Sequence, residues 1–342
     1  VQLEKFGWNG FFASQACAGV PGRVASANRE HFEVWTSQGE IDATPGGNLR
    51  MGPVWPAVGD WVALRAGAAP VIESVLERRT VLSRKQPGRV LEEQVLAANI
   101  DVLFIVSGLD GDYNERRIER YLVISRQSKA RPVIVLNKTD LAVERGIDLD
   151  EVVSRLQLWS RAVVLAVSAT AETGLQKLTA LMQPAQTAAL IGSSGVGKSS
   201  IVNCLLGDER QRTRPVRSGD DRGGHATTAR SLFLMPGGWM LVDMPGLREI
   251  QFWAAAEQVD AGFDDLRELA LGCRFRDCTH TGEPGCAVLE SDIDAGRLEN
   301  YRKMQRELEY LKRKTDKRLM SENRARWKAI HKAARKNGKD GW

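Results

Sequence analysis

The sequence predicts a multidomain α/β fold class: a small N-terminal β-barrel, a parallel-sheet domain, then a metal-ligating helical module. Three observations in this 342-residue chain carry the expectation. Short alternating apolar runs fill roughly the first 85 residues. From about Asn99, buried-type apolar runs alternate with helical patterns. Three cysteines and a histidine then cluster before a cation-rich, helix-forming tail. The expected boundaries are 1–85, 86–255 and 256–342. Apolar residues make up 43% of the chain, enough for real cores, and the length suits two or three domains.

In the first part, Phe32–Thr36 and Asp60–Leu64 alternate in polarity. Pro21-Gly22, Gly46-Gly47, Gly52-Pro53 and Val58-Gly59-Asp60 punctuate them. Several short strands in so small a unit suggest a barrel, either OB-like or SH3-like. In the second part, Val102–Val106, Pro132–Leu136, Ala162–Val167 and Ala188–Ile191 read as strands. Helices fall between them: Asn114 caps one running to about Ser128, and Asp150–Leu158 and Leu175–Met182 are two more. That rhythm means βαβ units and a parallel sheet. Ser231–Met235 and Trp239–Val242 flank Pro236-Gly237-Gly238 as a hairpin, and Phe263–Leu271 is helical.

Gly192-Ser193-Ser194-Gly195-Val196-Gly197-Lys198-Ser199 follows the Ala188–Ile191 strand and opens a helix. This is G-x-x-x-x-G-K-[ST] in the context that the motif requires. The glycines let successive backbone N–H groups turn toward phosphate oxygens, and the helix presents its positive end to the same anion. Lys198 supplies a charge for the β- and γ-phosphates, and the Ser199 hydroxyl is placed for Mg²⁺. The binding set runs through Ser200.

Asn137-Lys138-Thr139-Asp140 directly follows the Pro132–Leu136 strand. The spacing N-K-x-D suits guanine. The Asp140 carboxylate can accept from N1–H and the 2-amino group, and the Lys138 stem can pack on the ring. Adenine offers neither donor, which makes the site selective. Strand carboxyl ends are where open α/β sheets bind ligands. Ser168-Ala169, after Ala162–Val167, fits the accessory element whose Ala169 N–H meets the guanine O6.

Asp243-Met244-Pro245-Gly246 fits D-x-x-G: Asp243 would hold Mg²⁺ through water, and the Gly246 N–H would sense the γ-phosphate. Upstream, Gly223-Gly224-His225-Ala226-Thr227-Thr228 looks like a switch whose Thr227 coordinates Mg²⁺. The order is informative. Ordinary GTPases run P-loop, switch threonine, D-x-x-G, N-K-x-D, S-A. Here N-K-T-D and S-A precede the P-loop, so the domain is a circularly permuted GTPase. Leu247 stands where a water-positioning Gln would follow D-x-x-G. His225 is the local candidate for that task, with Lys198 and Thr227 completing the catalytic set; a packing or partner-contact role for His225 is the alternative.

Cys273-(x4)-Cys278-x-His280-(x5)-Cys286 offers three thiolates and an imidazole. Four such ligands close a tetrahedral shell, which is the pattern of one structural Zn²⁺. Five cysteines in all, an odd number, argue against a secreted disulfide framework. The longest apolar stretches are far too short to span a membrane. The chain carries 48 Lys+Arg against 43 Asp+Glu, a net +5. From Arg297 to Trp342 there are 16 basic and 6 acidic residues, which leaves 32 basic and 37 acidic elsewhere. Such a tail can neutralise several phosphates of RNA, with a membrane surface as the rival anion. Leu298, Tyr301, Leu308 and Leu311 offer a stripe on which its helix can dock.

Taken together, the barrel, the permuted motif order, H-x-T at His225–Thr227 and the C-x4-C-x-H-x5-C cluster resemble the ribosome small-subunit-dependent GTPase A family (RsgA, or YjeQ). The resemblance covers essentially the whole chain. It implies an OB-fold first domain and a bacterial cytoplasmic setting; the expected state is a monomer that binds GTP/GDP. It implies GTP hydrolysis stimulated by the small ribosomal subunit and its rRNA, serving late maturation of that subunit, with release after hydrolysis. His225 carries over as the family's proposed catalytic histidine. The chain departs in reading D-M-P-G for the commoner D-T-P-G, and H-A-T-T where H-T-T is usual. An RNA-binding checkpoint module, for which nucleotide is only a switch, is the alternative function. A P-loop ATPase with a different partner is a third.

Overall fold

The computed structural model describes residues 3–15, 19–28, 30–65, 67, 69–85, 93–207, 230–244, 259 and 262–315. They fall into two compact units, one holding a barrel and a parallel sheet (Val1–Arg84 and Gln94–Trp253), the other holding Lys85–Glu93 and Ala254–Trp342.

The first unit begins with a short helix, α1 (Gly10–Ala13), and five barrel strands: β1 (Val20–Asn28), β2 (His31–Thr36), β3 (Gly39–Pro45), β4 (Trp61–Arg65) and β5 (Val71–Val75). Helix α2 (Gly47–Met51) lies between β3 and β4 in the chain. The strands pair in the order β1-β2-β3-β5-β4, and a β1–β4 pairing closes the ring. Every pair is antiparallel except β3–β5. A closed five-stranded Greek-key barrel of this order is the OB arrangement, which settles the choice the sequence left open. Period-two alternation explains its core: Phe32, Val34, Val62 and Leu64 point inward with Val24, Ala43, Leu49 and Ile72.

A two-stranded ribbon, β6 (Val81–Lys85) and β7 (Glu93–Ala98), precedes the main sheet. That sheet contains β8 (Val102–Gly108), β9 (Arg131–Asn137), β10 (Val163–Ala166), β11 (Thr187–Ile191), β12 (Arg230–Leu234) and β13 (Met240–Asp243), in the order β10-β9-β8-β11-β13-β12. β8, β9, β10, β11 and β13 are mutually parallel, and β12–β13 is the expected hairpin. β8 and β11 are buried along their whole length. Both faces of a parallel sheet are covered, which is why these strands read as unbroken apolar runs. Helices α3 (Glu115–Ser128), α4 (Leu149–Ser160), α5 (Leu175–Ala180) and α6 (Lys198–Leu206) follow β8, β9, β10 and β11. The Asn114 side chain accepts from the Arg117 N–H and starts α3, as the sequence predicts; Asp148 does the same for α4.

β1 also pairs with β12, at Ser26↔Ser231 and Ala27↔Arg230, so barrel and parallel sheet form one eleven-stranded sheet. Arg23 of β1 reinforces that join. It is 2% exposed, and its guanidinium donates to Thr187 Oγ1 at 2.7 Å, to the Asn99 carbonyl at 3.2 Å and to the Phe6 carbonyl. Burial pushes its pKa down to about 10, so it remains charged at neutral pH.

A second buried charge stands immediately before β4. Asp60 is fully buried and accepts two hydrogen bonds from Arg78, both at 2.7 Å, and one from the Ala57 N–H. Burial raises the Asp60 pKa, and the Arg78 hydrogen bonds oppose the rise. Arg78→Met would strand this carboxylate and is expected to cost about 3 kcal/mol at neutral pH. The variant's folded state would take up a proton more readily than its unfolded state. Stability is then gained on acidification and lost as pH rises through the raised folded-state pKa. Melting curves of parent and variant from pH 8 to pH 5 check this; a deficit that stays constant or widens toward pH 5 refutes it.

The second unit contains α7 (Asp264–Ala270) and α8 (Ala295–Thr315), with the cysteine cluster between them in the chain. Of the expected docking stripe, Leu298 and Leu308 are buried and Tyr301 and Leu311 half-buried, and Met304 joins it. Arg297 is a correction. Counted with the basic tail, it is instead 4% exposed and forms a bidentate pair with Asp265 at 2.7 and 2.8 Å, against the face of Phe263. The tail beyond Thr315, including Lys317 and Arg318, lies outside the described residues.

Candidate nucleotide site and metal centre

Because β8, β9, β10, β11 and β13 run parallel, their carboxyl ends share one edge of the sheet. Asn137–Asp140 leave β9 there, Ser168-Ala169 follow β10, Gly192–Gly197 leave β11, and Asp243 ends β13. Motifs scattered over 107 positions of sequence therefore assemble at the edge where open α/β sheets bind ligands.

Asn137 joins three of these loops. It is buried; its Nδ2 donates to the Val196 carbonyl at 2.8 Å, and its Oδ1 accepts from the Ala169 N–H at 3.0 Å. One side chain thus fixes the base loop against the phosphate loop and the S-A loop. Its closeness also explains a glycine. A Cβ on Gly197, whose φ is +94°, would lie 2.2 Å from Asn137 Nδ2.

Lys138, Asp140 and Ser168 lie at the end of the site that the sequence assigns to the base. Lys138 adopts a left-handed backbone, φ 65°, and its ammonium pairs with Asp110. The Lys138 hydrogen bond holds the Asp110 carboxyl below its usual range. Ser168 is buried, and its hydroxyl donates to Asp140 Oδ1 while accepting from the Ala171 N–H at 3.0 Å. Asp140 itself is exposed, so its selectivity against adenine depends on the base covering it. Thr139 is half-buried, and its N–H donates to the Val167 carbonyl at 3.3 Å.

At the phosphate end, Gly192 is buried, with φ +151° and the Val106 carbonyl 2.2 Å from where a Cβ would stand. Val196 is buried beneath the loop, and Ser194, Gly195, Ser199 and Ser200 are exposed. Lys198 Nζ donates to the Gly192 and Ser193 carbonyls at 2.7 and 2.6 Å, and burial lowers its pKa. The lysine is thus held inside the loop that it would share with phosphate. His225, Thr227 and Gly246 lie outside the described residues, as does Leu247.

The structure adds Asp110 and Arg117, which the motifs do not include. Arg117 of α3 donates to the Ser193 hydroxyl of the phosphate loop. Their position just past the end of β8, on the ligand edge, is the signal that could have found them.

In the second unit, one atom from each of Cys273, Cys278, His280 and Cys286 lies within 4.8 Å of the others. Cys273 Sγ is 3.9 Å from Cys286 Sγ, and His280 Nδ1 is 3.6 and 3.3 Å from those two sulfurs. Bonds of about 2.3 Å to sulfur and 2.0 Å to nitrogen set tetrahedral edges of roughly 3.5–3.8 Å, so the four ligands fit a metal ion such as zinc. Burial pushes the His280 pKa down, which favours the neutral imidazole that a metal needs. The turn carrying His280 is built by Glu283, whose carboxylate accepts from the N–H groups of Thr279, Thr281 and Gly282.

No helix among the described residues is long and apolar enough to cross a membrane. The family model for RsgA GTPase matches residues 75–253, and one for 50S ribosome-binding GTPase matches residues 187–320. A curated relative from Opitutus terrae, a small ribosomal subunit biogenesis GTPase RsgA, is 43% identical, covering 98% of this chain and 97% of its own. The crystal structure of YjeQ from Thermotoga maritima superposes with a TM-score of 0.62 at 26% identity, over 84% of this chain and 98% of that one. YloQ, described as a circularly permuted GTPase, shares the fold at a TM-score of 0.62 and 21% identity, over 86% and 97% of the two chains. The permuted motif order, its assembly at one sheet edge and these matches lead to one conclusion: this chain belongs to the RsgA GTPase family.

Proposed function

We infer that this protein hydrolyses GTP in the biogenesis of the small ribosomal subunit. The observation that carries the reading is the junction at Asn137, where a guanine-type loop, its accessory S-A loop and a phosphate loop meet through one buried amide. Asn137, Lys138, Thr139, Asp140, Ser168 and Ala169 serve the base. Gly192 through Ser200 serve the phosphates, with Gly246 at the γ-phosphate. Ser199, Asp243 and Thr227 would hold Mg²⁺, whose charge offsets that of the phosphates in such sites. Cys273, Cys278, His280 and Cys286 hold one structural zinc ion. The division at about residues 85 and 255, the cytoplasmic location and the monomeric state belong to the same proposal.

The cations exposed on α8, Lys303 and Arg306 among them, are assigned to rRNA together with the tail that follows. Arg297 is not, because Asp265 already neutralises it.

Single-turnover GTP hydrolysis with and without purified small subunits tests the function. Stimulation of at least about a hundredfold is expected, the scale by which positioned groups and charges act. Absence of stimulation would favour an RNA-binding module in which nucleotide is only a switch. His225→Ala is expected to lower the stimulated rate about a hundredfold while GTP affinity stays within twofold. Unchanged stimulated turnover in that variant removes His225 from the mechanism.

A further inference from the structure

Two carboxylates on the segment joining β8 to α3, Asp110 and Asp112, form ion pairs, and neither carboxylate belongs to the nucleotide motifs. Asp110 pairs with Lys138 of the base loop. Arg117 places one guanidinium nitrogen 2.5 Å from both Asp112 Oδ2 and Ser193 Oγ. Ser193 is therefore held from two sides. Its hydroxyl accepts from Arg117, and its main-chain carbonyl accepts from Lys198 Nζ at 2.6 Å.

The fold explains why these groups meet. β8 and β11 are parallel neighbours, with Ile105 opposite Ile191, so the segment after β8 borders the loop after β11. Asn114 fixes where Arg117 stands, because the cap that starts α3 is the hydrogen bond from the Arg117 N–H. One guanidinium nitrogen, Nη1, is shared by Asp112 and Ser193, so Arg117 can act on the phosphates through the loop.

We propose that the β8–α3 segment is a two-point strap on the nucleotide site. Asp110 sets the lysine of the base loop. Arg117, steadied by Asp112, is a positioning residue that holds the Gly192–Gly195 half of the phosphate loop in shape before nucleotide arrives. A glycine-rich loop loses much conformational freedom on ordering, and contacts that order it beforehand reduce that loss at binding. This rests on reading Gly192–Ser199 as the phosphate loop.

The test compares the parent with Arg117→Ala, Arg117→Lys, Ser193→Ala and the Arg117→Ala/Ser193→Ala double variant. Release of fluorescent GDP and competition by unphosphorylated guanosine are measured for each. Arg117→Ala should release GDP about tenfold faster, the scale of one hydrogen bond to a charged group. Arg117→Lys should recover part of that loss. The double variant should be no worse than Arg117→Ala alone, because both substitutions remove one contact. Guanosine competition should not change, whereas general damage to the domain would weaken it equally. Parental GDP release in Arg117→Ala, additive losses in the double variant, or an equal loss for guanosine overturns the strap. Failure of the parent to bind GDP at all would instead bring down the phosphate-loop reading, and the strap with it.

Discussion

Asp140→Asn is expected to weaken GTP and GDP binding at least about a hundredfold and to raise affinity for xanthine nucleotides. Guanine presents two donors, N1–H and the 2-amino group, to one carboxylate. Hydrogen bonds to a charged group are worth roughly 1.5–3 kcal/mol each, so losing that pairing costs about 3 kcal/mol or more. Xanthine carries a carbonyl where guanine carries the amino group, and the new amide can donate to it. Ser168 sharpens the expectation. Its hydroxyl holds Asp140 Oδ1, and the Ala171 N–H orients that hydroxyl in turn, so the side chain is aimed before the base arrives. The amide should keep this aim, because its oxygen can still accept from Ser168. Equilibrium binding of GDP, XDP and ADP to parent and variant is the measurement. Equal binding of ADP and GDP by the parent would remove the guanine assignment. Parental GDP affinity in the variant would remove Asp140 from the site.

The loops proposed to hold the base are legible in the sequence because they rest on short runs at strand ends. N-K-T-D and S-A each follow a strand whose apolar run is easy to see, and parallel strands bring their carboxyl ends together. The phosphate loop was legible for the same reason, and the cysteine cluster because its ligands fall within 14 residues. What the sequence could not show depends on partners far apart in the chain. Arg117 meets Ser193 across 76 positions, and no local pattern marks either residue. Arg297 meets Asp265 across 32 positions, and without that partner it reads as one more tail cation. Joining the barrel to the main sheet takes two registered pairs between β1 and β12, which leave no motif at all. The barrel type was open for a similar reason: alternation reports which side chains face inward, not the order in which strands pair.

Cys286→Ser is expected to release the zinc ion and to unfold the second unit while leaving nucleotide binding within twofold of the parent. Among the described residues of that unit, few large apolar side chains are buried. Among the described residues the core is Val259, Phe263, Leu266, Val288, Leu298, Met304 and Leu308, with the Arg297–Asp265 pair beside it. Structural zinc in comparable modules contributes apparent free energies of about 10–16 kcal/mol, more than such a core could replace. Cys286 is the most buried of the four ligands, at 1% exposure, so water is poorly placed to substitute for its sulfur. The nucleotide loops belong to the other compact unit, and none of their hydrogen bonds described above involves a residue of the second. Zinc content, hydrogen exchange over residues 262–315 and GDP affinity, measured on the same preparation, read the two units separately. Parental protection over those residues in a zinc-free variant would show that the apolar core suffices. Loss of GDP binding together with the zinc would show that the metal supports the nucleotide site as well.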